Sequence, residues 1–159
     1  MPQIQESIEI GVPRIEVFRF CHDVTNRPEW DEQIEHMELL TPAPLRSGTL
    51  VRVDSSAGRG PVFTWDAEYV SYQLPHSSKL RVIDAAKTCP FRQGSELNWQ
   101  FESVGTATRL TWKWDYKPQG FVAGILDKLG GRTSTQKAIQ RSLGKLKELV
   151  ESGRRAHIR

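Results

Sequence analysis

The sequence predicts an α+β fold in which a curved, seven-stranded antiparallel sheet wraps around one long C-terminal helix. Three observations support this prediction. An alternating strand opens the chain before two short helices, strand-like segments joined by short turns fill residues 37–116, and the last third has helical spacing. Short connections join antiparallel neighbours. One helix cannot cover both faces of such a sheet, so the sheet must curl around it and leave a hollow inside.

The first strand is half buried and two short helices follow it. Its apolar residues alternate with polar ones: Ile4, Ile8 and Ile10. Glu6 shares the apolar parity, so it lies at a strand end or faces the interior. Pro13 begins a short helix, because proline suits the first turn. A second short helix begins at Pro28 and is predicted to run to about residue 34.

Six further strands are predicted between the short helices and the long one. They cover residues 37–40, 49–54, 62–72, 79–84, 96–102 and 110–116. The last two meet across Val104-Gly105-Thr106-Ala107, which is typical of a hairpin. The link through Cys89-Pro90 has no clear pattern.

The C-terminal third contains one long helix. Ile139, Leu143, Leu146 and Val150 lie on one helical face, and the helix is predicted over residues 133–152. Residues 121–129 are also helical in pattern, but Gly130-Gly131 is predicted to kink or break the chain there.

Composition predicts one cytoplasmic domain covering residues 1–159. The net charge of +3 owes much to a basic tail, residues 153–159, which we expect to be solvated. A nucleic-acid interface needs a wider basic patch, so we expect none. We also expect no secretory signal and no membrane-spanning helix, and the two cysteines are too few for a disulfide framework.

Metal and cofactor sites are not expected. The four histidines do not cluster, whereas a metal needs three or four converging ligands. Gly58-Arg59-Gly60 is interpreted as a loop, because the strand, glycine-rich loop and helix of a phosphate cradle do not occur around it.

Several short motifs, in register with these elements, are shared with a known family. They are Ile8-x-Ile10-x-x-Pro13-x-x-x-Val17-Phe18, Asp23-x-x-x-x-Pro28-x-Trp30, Gly48-Thr49 and Gly105-Thr106. This set resembles the SRPBCC superfamily, the START and plant-allergen-like helix-grip group, and within it the polyketide cyclase/dehydrase and lipid transport branch. The resemblance implies a sheet gripping the C-terminal helix around a hydrophobic tunnel. Members bind lipids, isoprenoid quinones, polyketide intermediates or plant hormones.

The resemblance also implies cyclase chemistry, from which this sequence departs at one position. Some members are aromatase/cyclases, which carry an arginine near the position of Tyr69 and a tryptophan pair near Phe63 and Trp65. This sequence keeps the second aromatic and lacks the cation. The departure weakens the case for cyclase chemistry.

The aromatic side chains of three strands are the candidate ligand-binding residues. The strand parity, with the family alignment for the fourth strand, points these side chains inward: Phe63, Trp65, Tyr69, Trp99, Phe101, Trp112, Trp114 and Tyr116. They either fill the core or form the wall of a ligand cavity. We favour the wall for the set, because dense packing is more easily made from Leu and Val.

Four polar side chains are weak catalytic candidates: Glu6, Tyr69, Arg132 and Gln136. The Tyr69 phenol could bond a carbonyl or enol of a ligand, or reach solvent at a strand end. Gln136 is also a candidate ligand-binding residue, because a buried amide at this position would need a ligand or water as partner, unless the helix rolls and solvates it. Arg132 is expected at the cavity mouth, and none of the four forms a recognisable dyad.

Three functions therefore remain open. The first is binding of a hydrophobic small molecule, a lipid, isoprenoid or polyketide, in an internal cavity. The second is a polyketide cyclase/dehydratase, in which the cavity restricts a flexible chain and polar groups move protons. The third is a protein-interaction module of co-chaperone type, for which the basic tail is the support. The sequence does not predict the oligomeric state.

Overall fold

The computed structural model describes residues 2–56 and 61–158, with side chains up to residue 153. Seven strands are described: β1 Gln3–Ile10, β2 Ile34–Leu39, β3 Leu50–Ser55, β4 Phe63–Gln73, β5 Ser77–Ala85, β6 Glu96–Val104 and β7 Ala107–Asp115. The helices are α1 Arg14–His22, α2 Arg27–Trp30, α3 Gly120–Leu126 and α4 Arg132–Ile158, with a kinked turn, Asp127–Gly131, between the last two. The predicted Gly58-Arg59-Gly60 loop lies outside the described residues.

The strands form one antiparallel sheet in the order β1-β7-β6-β5-β4-β3-β2. Strands β2 to β7 are a meander, and β1 pairs with β7. Gly105 has a φ of +62°, which suits the tight turn of the β6–β7 hairpin. The curved sheet grips the long helix, so the predicted fold class is confirmed.

Helix α4 packs along the concave face of the sheet through the face that its spacing predicts. Ile139, Leu143, Leu146 and Val150 are all buried. Hydrogen bonds fix the far end of the helix to the first strand and the turn after it: Lys147 Nζ donates to Glu9 O at 2.6 Å, and Gly11 N donates to Glu151 Oε1 at 2.8 Å.

Three boundaries differ from the sequence prediction or refine it. Helix α2 ends at Trp30, not near residue 34, because Asp31 adopts an extended backbone and Ile34 already pairs with Ser55 of β3. Helix α4 continues to Ile158, so the predicted tail is largely helical backbone; its sequence after 152 contains no proline to stop it. The predicted break at Gly130-Gly131 is confirmed as a kink, with a φ of 148° at Gly130.

Candidate functional site

A cavity of about 540 Å³ lies under the first turns of α4. One wall is the sheet, another is α3, and a third is the loop between β5 and β6. The sheet contributes mainly apolar side chains: Phe63, Trp65, Leu97, Trp112 and Trp114. The helices contribute Val122, Ala123, Leu126 and Ile139. The result is a largely aromatic and aliphatic lining.

The sheet wall is held in place by edge-to-face aromatic contacts around Phe91. This ring lies 5.4 Å from the Trp65 ring and 5.1 Å from the Trp114 ring, centroid to centroid, and nearly perpendicular to both. The Trp65 indole N–H donates to Ser55 Oγ at 2.9 Å. The loop residue Phe91 therefore closes the side of the cavity that the strands leave open.

The cavity mouth is formed by Lys87, Val122 and Leu126, which line the cavity and are also exposed. Val122 is 69% exposed and Leu126 60% exposed. Helix α3 is thus a single layer between the cavity and solvent.

Beside the mouth, a polar cluster ties the end of the sheet to the kinked helix. The Tyr116 hydroxyl donates to the Asp127 carboxylate, 2.7 Å from Oδ1, and accepts from Arg132 Nε at 3.2 Å. Arg132 Nη2 also donates to Asp127 Oδ2 at 3.0 Å. Burial, together with the hydrogen bond to Asp127, raises the pKa of Tyr116 to about 12. The polar groups of Tyr116, Asp127 and Arg132 thus hydrogen-bond to one another. We call these three residues the latch, because they hold the kinked turn against the end of β7.

The cavity floor, defined here as Arg27, Asp31 and Trp112, contains a buried ion pair. Arg27 Nε donates to Asp31 Oδ2 at 2.8 Å, and both residues are 2% exposed. The guanidinium carbon lies 4.4 Å from the ring centre of Trp99 and 5.7 Å from that of Trp112. An arginine enclosed by indoles gains cation–π attraction that partly offsets its lost hydration.

The structure brings five of the predicted ligand-binding residues to the cavity wall: Phe63, Trp65, Trp112, Trp114 and Tyr116. Tyr69, Trp99 and Phe101 are buried away from it, each 2% exposed. They pack with α1: the Phe18 and Phe101 rings are 4.9 Å apart, and the His22 and Trp99 rings 5.2 Å apart. Helix α1 fills this end of the concave face, so these side chains belong to the packed core.

Gln136 lies at the interface of α4 with β1, outside the cavity wall. Its Nε2 donates to Glu6 Oε1 at 2.7 Å, and Gln140 Nε2 donates to the same oxygen at 3.0 Å. The partner of the amide is therefore a carboxylate of the first strand. Glu6, for the same reason, faces α4 and not the cavity, and Arg132 belongs to the latch near the mouth.

Sequence reasoning missed Arg27, Asp31, Phe91 and the three α3 residues of the wall. The spacing of Arg27 and Asp31, one turn apart, was visible, but charged residues are rarely buried, so the pattern indicates a surface pair. Phe91 follows Pro90 in a link with no periodicity. The wall position of α3 depends on the kink at Gly130, whose direction the sequence does not define.

The described residues contain no group of three or more His, Cys, Asp or Glu side chains placed to hold a metal ion. Among those same residues, no helix is both long and apolar enough to cross a bilayer. Cys21 and Cys89 are both free thiols and both buried.

A curved antiparallel sheet that grips a C-terminal helix around an apolar cavity defines a helix-grip protein of the START-like, SRPBCC class. The chain belongs to the polyketide cyclase/dehydrase and lipid transport family, whose model matches residues 1–151.

Solved structures share the fold at low sequence identity. The protein TTHA0849 from Thermus thermophilus has a TM-score of 0.79 at 19% identity, covering 96% of this chain and 99% of that one. The Zhui aromatase/cyclase from a Streptomyces species has a TM-score of 0.72 at 16% identity, covering 99% and 96%. A START superfamily protein from Mycobacterium smegmatis has a TM-score of 0.71 at 16% identity, covering 92% and 98%. No curated protein matches the sequence significantly.

Proposed function

We propose that this protein binds a hydrophobic small molecule in the cavity under α4. The observation that supports the proposal is the cavity itself: about 540 Å³, lined mainly by aromatic and aliphatic side chains. Small-molecule sites in proteins are typically concave, about 300–1,000 Å³ in volume, and mostly apolar with few polar groups. The ligand class proposed is a lipid, isoprenoid or polyketide, in line with the description of the family.

The proposed ligand-binding residues are those of the predicted set that lie on the wall: Phe63, Trp65, Trp112, Trp114 and Tyr116. Phe91, Leu97 and Ile139 join them. Aromatic side chains bury large apolar area in rigid shapes, so they bind an oily molecule at low entropic cost. Tyr69, Trp99, Phe101 and Gln136 are not included, because they contact the core or β1 instead.

The hydrogen bonds and pKa values of the polar groups near the cavity favour ligand binding over catalysis of polyketide cyclisation. The Tyr116 hydroxyl and the Asp127 carboxylate are occupied by each other and by Arg132. The phenol of Tyr69 lies outside the wall, and burial raises its pKa to about 12, against the opposing charge of Arg27. General acid–base catalysis needs a group near the substrate with a pKa near the working pH.

The co-chaperone interpretation depends on the basic residues after position 152. The side chains of residues 154–159 lie outside the described set. We therefore do not propose it.

The test is to block the cavity and measure the ligand that remains bound. Thr135 lines the cavity from α4 and Ala123 lines it from α3. Thr135→Trp and Ala123→Trp should each fill the space and lower the ligand recovered per mole of purified protein at least tenfold. Organic extraction of natively purified protein followed by mass spectrometry measures this.

Lys137→Trp is the matched control, since Lys137 is on the same helix and does not line the cavity. It should retain the wild-type ligand content. Far-UV circular dichroism shows that each variant is folded. Equal ligand content in the wild type and in both folded blocking variants would refute the proposal.

A further inference from the structure

The cavity floor has a feature that hydrophobic binding alone does not require. Arg27 and Asp31 line the cavity and are each 2% exposed. Both charges of this ion pair are therefore removed from water at the inner end of the cavity. Desolvating two charges costs several kcal/mol per ion, and well-packed apolar residues of the same volume are often at least as stable. Stability is therefore a weak reason for this pair to lie there.

Hydrogen-bond donors outnumber acceptors at the floor. Among the described residues, Arg27 Nε donates to Asp31 Oδ2. The other carboxylate oxygen of Asp31, Oδ1, accepts from Gln33 N at 3.2 Å. A guanidinium carries five N–H donors, four of them on its two Nη atoms. Within residues 2–56 and 61–158, these Nη donors have no hydrogen-bonded acceptor.

The indoles around the guanidinium add to this excess of donors. Trp30, Trp99 and Trp112 surround the Arg27 guanidinium at 5.1, 4.4 and 5.7 Å. Each has a buried indole N–H with no partner among the described residues. Buried polar groups are nearly always paired in folded proteins, with protein, water or ligand. Of these three indoles, Trp112 lines the cavity, so its N–H adds to the Arg27 donors that a ligand with an acceptor could meet at the floor.

The charge of the floor determines which acceptor fits. Arg27 and Asp31 together are neutral, Asp127 is paired with Arg132, and Lys87 is exposed at the mouth. A carboxylate carried to the floor would be a buried charge with no counter-charge, next to Asp31. A hydrocarbon would offer no acceptor. A carbonyl oxygen accepts N–H groups and adds no charge.

We propose that Arg27 determines ligand specificity, by donating from its Nη atoms to a neutral carbonyl oxygen on an otherwise apolar ligand. This inference rests on the proposed function, because it requires a ligand in the cavity. Asp31 and the indoles then hold Arg27 in position, and its Nη atoms donate hydrogen bonds to one oxygen atom of the ligand. The apolar wall binds the remainder.

The experiment compares three probes of the same size that differ in polar group: 2-acetylnaphthalene, 2-naphthoate and 2-ethylnaphthalene. Isothermal titration calorimetry measures their affinities for the wild type and for Arg27→Met/Asp31→Leu. Replacing both members of the pair avoids leaving one buried charge unpaired. Arg52→Met/Asp66→Leu is the matched control, because it removes a bidentate pair on the outer side of β3 and β4.

The wild type should bind the ketone about tenfold more tightly than the ethyl compound, the effect of one hydrogen bond from a charged donor. It should bind the carboxylate more weakly than the ketone. Arg27→Met/Asp31→Leu should lose the ketone preference and retain affinity for the ethyl compound, whereas the control should behave as the wild type.

Two results would overturn the inference while leaving the proposed function intact. One is an equal or stronger ketone preference in Arg27→Met/Asp31→Leu, and the other is a wild-type preference for the carboxylate. Failure of all three probes to bind the wild type would instead contradict the proposed function, and this inference with it.

Discussion

His22 and Arg27 are two basic residues that burial affects in different ways. Arg27 is paired with an acid, whereas His22 is held by neutral partners. Its Nδ1 lies 2.7 Å from Phe18 O, and since a carbonyl only accepts, Nδ1 bears the proton. Nε2 lies 2.7 Å from the Ser78 hydroxyl, from which it accepts when the ring is neutral. The ring stacks on Phe18 and is surrounded by other aromatic rings. Burial keeps its pKa low, so His22 is neutral at pH 7.

Burial of His22 predicts a loss of stability in mild acid. Burial lowers its pKa from 6.5 to about 3. Below pH 6.5 the unfolded chain binds a proton at this residue that the folded chain does not, so the free energy of unfolding falls as the pH falls from 6.5 towards 3. The expected contribution is about 1.4 kcal/mol per pH unit in the middle of that range. Urea denaturation at pH 7 and pH 5 measures it.

His22→Gln removes the titrating group and should lose less stability than the wild type between these two pH values. The control is His36→Gln, because His36 is exposed on β2. It should lose as much as the wild type. The same pH dependence in His22→Gln and the wild type would show that His22 does not contribute.

At the scale of elements, the kink before α4 creates the space for a ligand. Helix α3 and α4 do not share one axis, because Gly130 adopts a φ of 148° between them. The turn leaves α3 over the cavity, where Ala123 and Leu126 form part of the wall. The latch of Tyr116, Asp127 and Arg132 holds this turn against the end of β7.

Two glycines of this region should respond to alanine in opposite directions. Gly130→Ala places a Cβ on backbone that L-residues rarely adopt, and should lower the free energy of unfolding by about 1 kcal/mol or more. Gly144→Ala lies in the exposed interior of α4 with open space at its Cβ. It should raise that free energy by up to about 1 kcal/mol. Urea denaturation of both variants checks the pair, and a loss of stability in Gly144→Ala or a gain in Gly130→Ala would contradict it.

The sequence predicted elements better than it predicted contacts between them. Alternation along β6 correctly places Leu97, Trp99 and Phe101 on the concave face. It does not show that α1 covers Trp99 and Phe101 while Leu97 remains on the cavity wall. Strand parity determines the face of a sheet, whereas the depth to which a helix fills that face depends on packing between distant segments.

The polar site residues illustrate the same limit. Gln136 was expected where α4 crosses the cavity, but it lies outside the cavity wall and bonds Glu6 of β1. Arg132 bonds Asp127. Both partners depend on how the helix sits against β1 and the kink. The sequence did not predict that Arg27 is buried. Its burial requires three indoles from separate elements to converge, and this convergence is a property of the folded chain alone.

At the scale of the whole molecule, one helix, α4, is too narrow to fill the concave side of a seven-stranded sheet, so a hollow remains between them. The far half of α4 fills its side of the sheet with Leu143, Leu146 and Val150. The near half does not, because α3 turns away at the kink and small residues, Ser134 and Thr135, line its inner side. The fold therefore divides into a packed end and a hollow end.

Four of the five tryptophans provide a direct test, because two of them line the cavity and two do not. Trp65 and Trp114 line the cavity, whereas Trp30 and Trp99 lie in the aromatic cluster around Arg27 and α1. Titration of ¹⁵N-labelled protein with 2-ethylnaphthalene, observed through the indole N–H resonances, measures where an apolar ligand binds. The largest shifts should occur at Trp65 and Trp114, with the smallest at Trp30 and Trp99. Indole resonances that do not move while the ligand binds, or that move only at Trp30 and Trp99, would contradict the claim that the hollow end is the binding site.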